Sequence, residues 1–205
     1  MYTIRSVLTV LLFVAPAALA GSATADDLAA AYSLTVSTTL PFPTSTLSSS
    51  GANDFVISSW DLNNNKVQNQ PSDLAFVPDP FPPSSSSSST SNTSRPVMQV
   101  TYGSGSFGGS GGGVQLFSLF NGSISPQTML LTYDVAFDEG FQFVQGGKLP
   151  GLRGGPDTQG CEGGSQANGT NCWSTRLMWR TAGAGEGVSF IFPLVLQGQL
   201  STLKH

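Results

Sequence analysis

The 205-residue chain has few charges and a single histidine. Only 10% of its residues are Asp, Glu, Lys or Arg, and the formal net charge is −4. This shortage of basic residues argues against nucleic acid as a partner. The one histidine is the terminal residue His205, which leaves no basis for Ser-His-Asp or Cys-His catalysis or for a histidine-based zinc site. We therefore expect neither a metal nor a cofactor.

The sequence also lacks an apolar run long enough to span a membrane. Residues 1–20 instead have the pattern of a secretory signal peptide, with Arg5 in the charged region, Val7–Val14 as the apolar segment and small residues before the cleavage site at Ala20. The predicted product is an extracellular, soluble protein that makes no membrane contact and is a monomer.

Cysteine is scarce as well. Cys161 and Cys172 are the only two, and an oxidising compartment permits them to form a disulfide with each other. Such a bridge would close a short Gly-rich loop and stabilise it by roughly 3 kcal/mol in the chain-entropy model. Three N-glycosylation sequons agree with secretion, at Asn92, Asn121 and Asn168.

The segment 21–95 is predicted to be an N-terminal arm and linker that is largely disordered. It is rich in Ser, Thr and Pro and includes six consecutive serines at 84–89, a composition that buries little apolar surface. Within it we expect one or two helical turns over Asp26–Tyr32 and a strand over Phe55–Trp60.

Beyond Pro96 the composition changes to short β-branched and aromatic runs that are separated by Gly-rich turns. The runs are Val97–Tyr102, Val114–Phe120 and Thr128–Phe137. Because almost no helical period is present, this pattern predicts an all-β fold, an antiparallel β-sandwich. The Gly-rich segment Gly103–Gly113 lacks the lysine and hydroxyl of a phosphate-binding loop, so we interpret it as a flexible connection.

The stretch from Phe141 to Arg180 contains four of the eight basic residues and two of the three tryptophans. A cationic, aromatic patch in an acidic protein is most simply explained by an anionic ligand, and the alternative is a solvated loop that carries these charges by chance. In Trp173–Arg180, strand alternation directs Trp173, Thr175, Leu177 and Trp179 to one face, which we expect to be core. Ser174, Arg176, Met178 and Arg180 then share the other face, where guanidinium groups are suited to binding carboxylates.

Three successive segments, YDVAFDEGFQFVQGGKLPGLRGG, CEGG and NCWSTRLMWRTAGAGE, resemble the family 14 polysaccharide lyases, particularly secreted fungal members. The resemblance covers about Tyr133 to Glu186, within a predicted lyase domain at 96–186. It implies a β-sandwich of the jelly-roll type and β-elimination cleavage of uronic-acid polymers such as alginate or glucuronan. The partner is therefore expected to be an acidic polysaccharide.

The resemblance also implies roles for individual residues. The family's lysine corresponds to Lys148, and its Ser-x-Arg pair corresponds to Ser174 and Arg176. Arg176 would bind the substrate carboxylate with Ser174 beside it, while Lys148 would either stabilise the enolate-like intermediate or act as the base; the alternative for Lys148 is a surface lysine in a hairpin turn. Arg180 and Gln145 are candidate substrate-binding residues, and Arg180 could instead pair with an acid such as Glu186.

The sequence departs from the family pattern after Glu186. Family members carry two tyrosines, spaced by one residue, as candidates for proton transfer, and this chain has Val188 and Phe190 there. Residues 187–205 are interpreted as a non-family tail of a truncated or mis-spliced product. We expect an incomplete jelly roll and a chain that is inactive as written. The alternatives are a non-catalytic module that binds acidic glycans and a product without a stable fold.

Overall fold

The structure is a computed structural model that describes residues 2–6, 24–80, 95–107, 110–119, 128–156, 161 and 171–190. These residues form mostly antiparallel strands with two short α-helices, so the all-β prediction is confirmed, while the jelly-roll arrangement stays a prediction. The chain divides into two compact units, one that includes Ala25–Glu139 and one that includes Gly140–His205. Within the described ranges, no helix has the length and apolarity needed to cross a bilayer.

The described residues of the first unit form both α-helices and eight strands. The helices are α1 (Ala25–Ala31) and α2 (Ser49–Ser59). The strands are β1 (Tyr2–Ser6), β2 (Gln68–Asn69), β3 (Leu74–Val77), β4 (Val97–Val100), β5 (Tyr102–Phe107), β6 (Ser110–Gly112), β7 (Val114–Gln115) and β8 (Tyr133–Phe137). Short 3₁₀ turns lie at Asn63–Asn65 and Pro71–Asp73. The helical turns expected over Asp26–Tyr32 are therefore present as α1.

The main sheet of the first unit has the strand order β3-β4-β1-β8. Strand β1 pairs antiparallel with both β4 and β8, and Tyr2 aligns with Val100 on one side and with Phe137 on the other. This strand lies inside the predicted signal peptide, so processing after Ala20 would remove it from between its two neighbours. Strands β5 and β6 pair as a hairpin, so much of the Gly-rich segment predicted as a flexible connection is ordered.

The prediction of a strand over Phe55–Trp60 is wrong, because these residues continue helix α2 and its C-cap. Ala52, Val56 and Trp60 recur every four residues and are all buried, which is the spacing of one helical face. The aromatic and β-branched run Phe55-Val-Ile suggested a strand by local composition. Burial of this face overrides that local preference.

The aromatic side chain of Phe76 is the centre of the first unit's core. Only 1% of it is exposed, and its ring lies 5.5 Å from Phe42, 5.4 Å from Phe55 and 6.4 Å from Trp60, in each case edge to face. The indole N–H of Trp60 is satisfied because Nε1 donates to the carbonyl of Pro41 at 2.6 Å. Much of 24–80 is thus packed structure rather than the loose arm that its Ser/Thr/Pro content predicts.

Tyr133 at the start of β8 should make stability fall in the alkaline range. Burial raises the pKa of Tyr133 to about 12, whereas the pKa of a tyrosine in an unfolded chain is about 10. Between these values the folded state holds a proton that the unfolded state has lost, so the free energy of unfolding decreases as the pH rises. Urea unfolding at a series of pH values should show this decrease, and Tyr133→Phe should make the free energy of unfolding fall less steeply with pH.

Tyr32→Phe removes a phenol outside the sheet and is the matched control. Equal pH slopes for the parent and Tyr133→Phe would contradict the assignment to Tyr133.

The second unit contains one described sheet of three antiparallel strands. They are β9 (Gly147–Gly154), β10 (Trp173–Trp179) and β11 (Gly185–Phe190), in the order β11-β10-β9. A 3₁₀ turn at Thr181–Gly183 connects β10 to β11. All the residues that the family resemblance singles out for carboxylate binding or catalysis lie on this sheet or next to it.

Candidate functional site

Two tryptophans of β10 lie over glycines of β9. Trp179 pairs with Gly147, and Trp173 pairs with Gly154. A Cβ atom at either glycine would collide with the indole ring of its partner, so the two rings occupy the space that a side chain would take. Trp179 also contacts Phe141 edge to face, with ring centroids 5.9 Å apart. The prediction that this face is core holds for buried Trp179, but Leu177 on the same face is 50% exposed.

The opposite face of β10 has Ser174, Arg176 and Met178; together with their cross-strand partners we call it the Arg176 face. In an antiparallel pair, directly opposed residues project to the same side of the sheet. On β9 the partners are Arg153 opposite Ser174, Gly151 opposite Arg176 and Lys148 opposite Met178. The register therefore places Lys148 on the same face as Ser174 and Arg176.

This arrangement depends on an irregularity in β9. The register shifts between Arg176 and Met178, so that two residues of β9, Leu149 and Pro150, stand opposite Leu177 alone. Such a β-bulge reverses the alternation of the residues beyond it. Pro150 fits there because a bulge is one of the few strand positions that tolerates a missing N–H.

Ser174 is buried, although it lies on the face opposite the one that we expected to be core. Its side chain is 5% exposed, and Oγ donates a hydrogen bond to the main-chain carbonyl of Cys161 at 3.0 Å. Cys161 and Cys172 form the predicted disulfide, with Cα atoms 5.8 Å apart. Both cysteines are buried, so the serine lies against a cross-linked part of the unit.

Arg176 is half-buried and is coupled to Ser174. Its Nη2 donates to Ser174 Oγ at 3.3 Å, which orients one edge of the guanidinium group. The cross-strand residue Gly151 has no side chain, and a Cβ there would clash with the backbone of Thr175 and with Cβ of Arg176. The close approach of the two strands thus requires glycine opposite the arginine.

Lys148 lies on the same face but is exposed. The partial burial that the base role assumes is therefore missing, and both roles that the resemblance implies for Lys148 stay predictions. Gln145 is exposed in the segment before β9, and its role in substrate binding stays a prediction.

Arg153 is a residue of this face that the sequence reasoning missed as a site residue. It is half-buried, with its Nε atom buried, and it stands directly across from Ser174. Simple alternation would place Lys148 and Arg153 on opposite faces because they are five positions apart. The bulge brings them to the same face, and the proline inside GKLPGLRG was the only local signal of it.

Arg180 forms an ion pair with Glu186 through Nε and Oε2, as one of the two sequence interpretations proposed. The side chains are 44% and 45% exposed. The hydrogen bond between them raises the pKa of Arg180 and lowers the pKa of Glu186. A substrate contact by Arg180 stays a prediction.

The remaining sequence expectations concern glycans and metals. Asn92, Asn121 and Asn168 lie outside the described residues. In the part of the chain that the structure describes, no group of three or more His, Cys, Asp or Glu side chains is placed to hold a metal ion.

One face of this sheet thus combines arginine, lysine and a hydrogen-bonded serine, a set of donors and charges that is suited to anionic groups. The family model described as polysaccharide lyase 14 matches residues 90–199, which is more than half of the 205 residues. The chain belongs to polysaccharide lyase family 14. Neither a curated protein nor a solved structure matches it.

Proposed function

We propose that the Arg176 face binds uronic-acid polymers, such as alginate or glucuronan, and carries the chemistry of β-elimination. The observation that supports this most is the coupling of Arg176 to Ser174 on the face that also holds Lys148 and Arg153. A guanidinium group is suited to a carboxylate because its donors form a planar fork. A polymer with one carboxylate on each sugar would meet several cations along this face.

β-Elimination explains why cations are needed. A base removes the C5 proton of a uronate, the C4–O4 bond breaks, a C4=C5 double bond forms, and O4 leaves with a proton from an acid. The carboxylate next to C5 makes that proton very weakly acidic, so neutralising its charge is the first requirement. Arg176 would bind this carboxylate, Ser174 would hold Arg176, and Lys148 would stabilise the enolate-like intermediate.

The site lacks the two tyrosines that the family resemblance implies for proton transfer. Val188 pairs with Arg176, and Phe190 pairs with Ser174, so the two positions where the family resemblance implies tyrosines lie beside the carboxylate-binding pair. Neither valine nor phenylalanine has an ionisable group. We therefore propose that this chain cleaves polyuronate slowly or not at all, which makes a glycan-binding module the second candidate function.

We also propose that the protein is secreted. The signal-peptide pattern of residues 1–20 supports this, and so does the Cys161–Cys172 disulfide, since such bridges persist mainly in oxidising compartments. An extracellular location would give the site access to polyuronates of cell walls or matrices.

Binding of a uronate oligosaccharide should weaken at least about 30-fold in Arg176→Ala, the usual cost of truncating one member of a desolvated charge pair. Isothermal titration calorimetry measures it. Arg95→Ala removes the same charge from an exposed position of the first unit and should bind like the parent. An oligosaccharide with its carboxylates reduced to alcohols should not bind. Equal affinities of Arg176→Ala and Arg95→Ala would refute the proposed site.

A further inference from the structure

Two hydrogen bonds in series connect the disulfide to Arg176. Arg176 Nη2 donates to Ser174 Oγ at 3.3 Å, and Ser174 Oγ donates to the carbonyl oxygen of Cys161 at 3.0 Å. A hydroxyl has one proton and two lone pairs. Because the Cys161 carbonyl takes that proton, a lone pair of Ser174 is left for the guanidinium group. The Cys161 carbonyl thus determines that Ser174 Oγ donates to Cys161 and accepts from Arg176.

Cys161 has an unusual backbone for a residue that is not glycine. Its φ angle is 54°, in the left-handed region that most side chains avoid and that persists where the surroundings over-determine it. The covalent bridge supplies such a constraint, since Cys172 immediately precedes β10. Cys161, Cys172 and Ser174 are 2%, 1% and 5% exposed, so water is a poor substitute for the carbonyl.

We propose that Cys161 is a positioning residue of the polyuronate site. Its main-chain carbonyl, held by the bridge to Cys172, orients Ser174 and through it Arg176. The affinity for polyuronate therefore depends on the disulfide, and opening the bridge weakens binding without touching any residue that contacts the ligand. This inference rests on the proposed function in one respect, that Arg176 binds the carboxylate.

A double-mutant cycle tests the coupling by calorimetry with a uronate oligosaccharide. Cys161→Ala/Cys172→Ala and Ser174→Ala should each weaken binding about tenfold, which is typical for residues in one hydrogen-bond network. Neither change should weaken binding further in the Arg176→Ala background. Ser174→Thr keeps the hydroxyl and should recover part of the affinity that Ser174→Ala loses. Ser58→Ala deletes a hydroxyl that bonds a carbonyl in α2 and is the matched control.

An equal loss of affinity with and without Arg176 would overturn the proposal, because it would show general destabilisation instead of an effect through that arginine. Equal affinities of Ser174→Ala and Ser58→Ala would overturn it as well. Ser174→Ala leaves the bridge intact, so it decides the question even if the protein without cysteines does not fold.

A ligand-free measurement separates this inference from the proposed function. The guanidinium NMR signals of Arg176, assigned by their loss in Arg176→Ala, should shift and exchange faster with water in Ser174→Ala and in the bridge variant. Unchanged signals would overturn the positioning role. Changed signals together with normal polyuronate binding by Arg176→Ala would support the positioning role and refute the proposed function alone.

Discussion

Replacement of both Val188 and Phe190 by tyrosine is expected to raise the rate of polyuronate cleavage about 10²- to 10⁴-fold, the usual contribution of a positioned acid or base. Cleavage creates a conjugated C4=C5 double bond, which is followed by ultraviolet absorbance. The parent chain should show little increase in absorbance while still binding the polymer.

The register of β10 and β11 is the reason for this expectation. Val188 stands opposite Arg176, and Phe190 stands opposite Ser174, so both positions belong to the Arg176 face. A phenol at either position would lie close to the sugar if Arg176 binds its carboxylate, as we propose. Neighbouring cations favour the phenolate and would lower its pKa towards the working range.

The matched control places a tyrosine on the other side of the same strand. Ser189 pairs with Thr175, so Ser189→Tyr adds a phenol that projects away from the Arg176 face. It should leave the rate at the parental level. If the double variant cleaves no faster than Ser189→Tyr, or if the parent already cleaves rapidly, the missing proton donors are not what limits this chain.

The largest expected loss of stability comes from Phe76→Ala in the first unit. Phe76 is 1% exposed and its ring contacts three other aromatic rings. Removing a buried phenylalanine ring costs about 3–5 kcal/mol, because the transfer free energy is lost and a cavity remains. The free energy of unfolding from urea titration should fall by that amount.

Phe107→Ala provides the comparison for this prediction. Phe107 lies at the end of β5 and is 62% exposed, so the same chemical change there should alter the free energy of unfolding by less than about 0.5 kcal/mol. Equal effects of the two substitutions would mean that the four-ring cluster is not the core of this unit.

Local sequence pattern was sufficient for β10 but not for β9. From Trp173 to Trp179, period two correctly predicts which residues share a face, although burial does not follow the faces, since Ser174 is buried and Leu177 is 50% exposed. In β9 one extra residue at Leu149–Pro150 changes the face of everything beyond it. The position of the bulge is fixed by the pairing of β9 with β10. The sequence of β9 alone therefore could not show that Lys148 and Arg153 lie on the same face.

The first unit shows a second limit of sequence reasoning. The Ser- and Pro-rich composition of 24–80 suggested little burial, yet scattered apolar residues there form the core around Phe76. Average composition hides such residues because they come together only through tertiary contacts. The burial of Ser174 also depends on a tertiary contact. Strand alternation predicted the face on which Ser174 lies, but not its contact with Cys161, which is distant in sequence.

The packing of Trp173 and Trp179 over two glycines makes tryptophan fluorescence a probe of this sheet. The chain has three tryptophans, and the third, Trp60, belongs to the other unit. In a Trp60→Phe protein, all indole fluorescence would arise from the two ends of the β9–β10 ladder, on the face opposite Arg176. Because each indole ring covers a glycine of β9, separation of the strands would expose the rings to water and change their emission. Pairing of β9 with β10 could therefore be followed without attaching a dye to the face that we propose for the glycan.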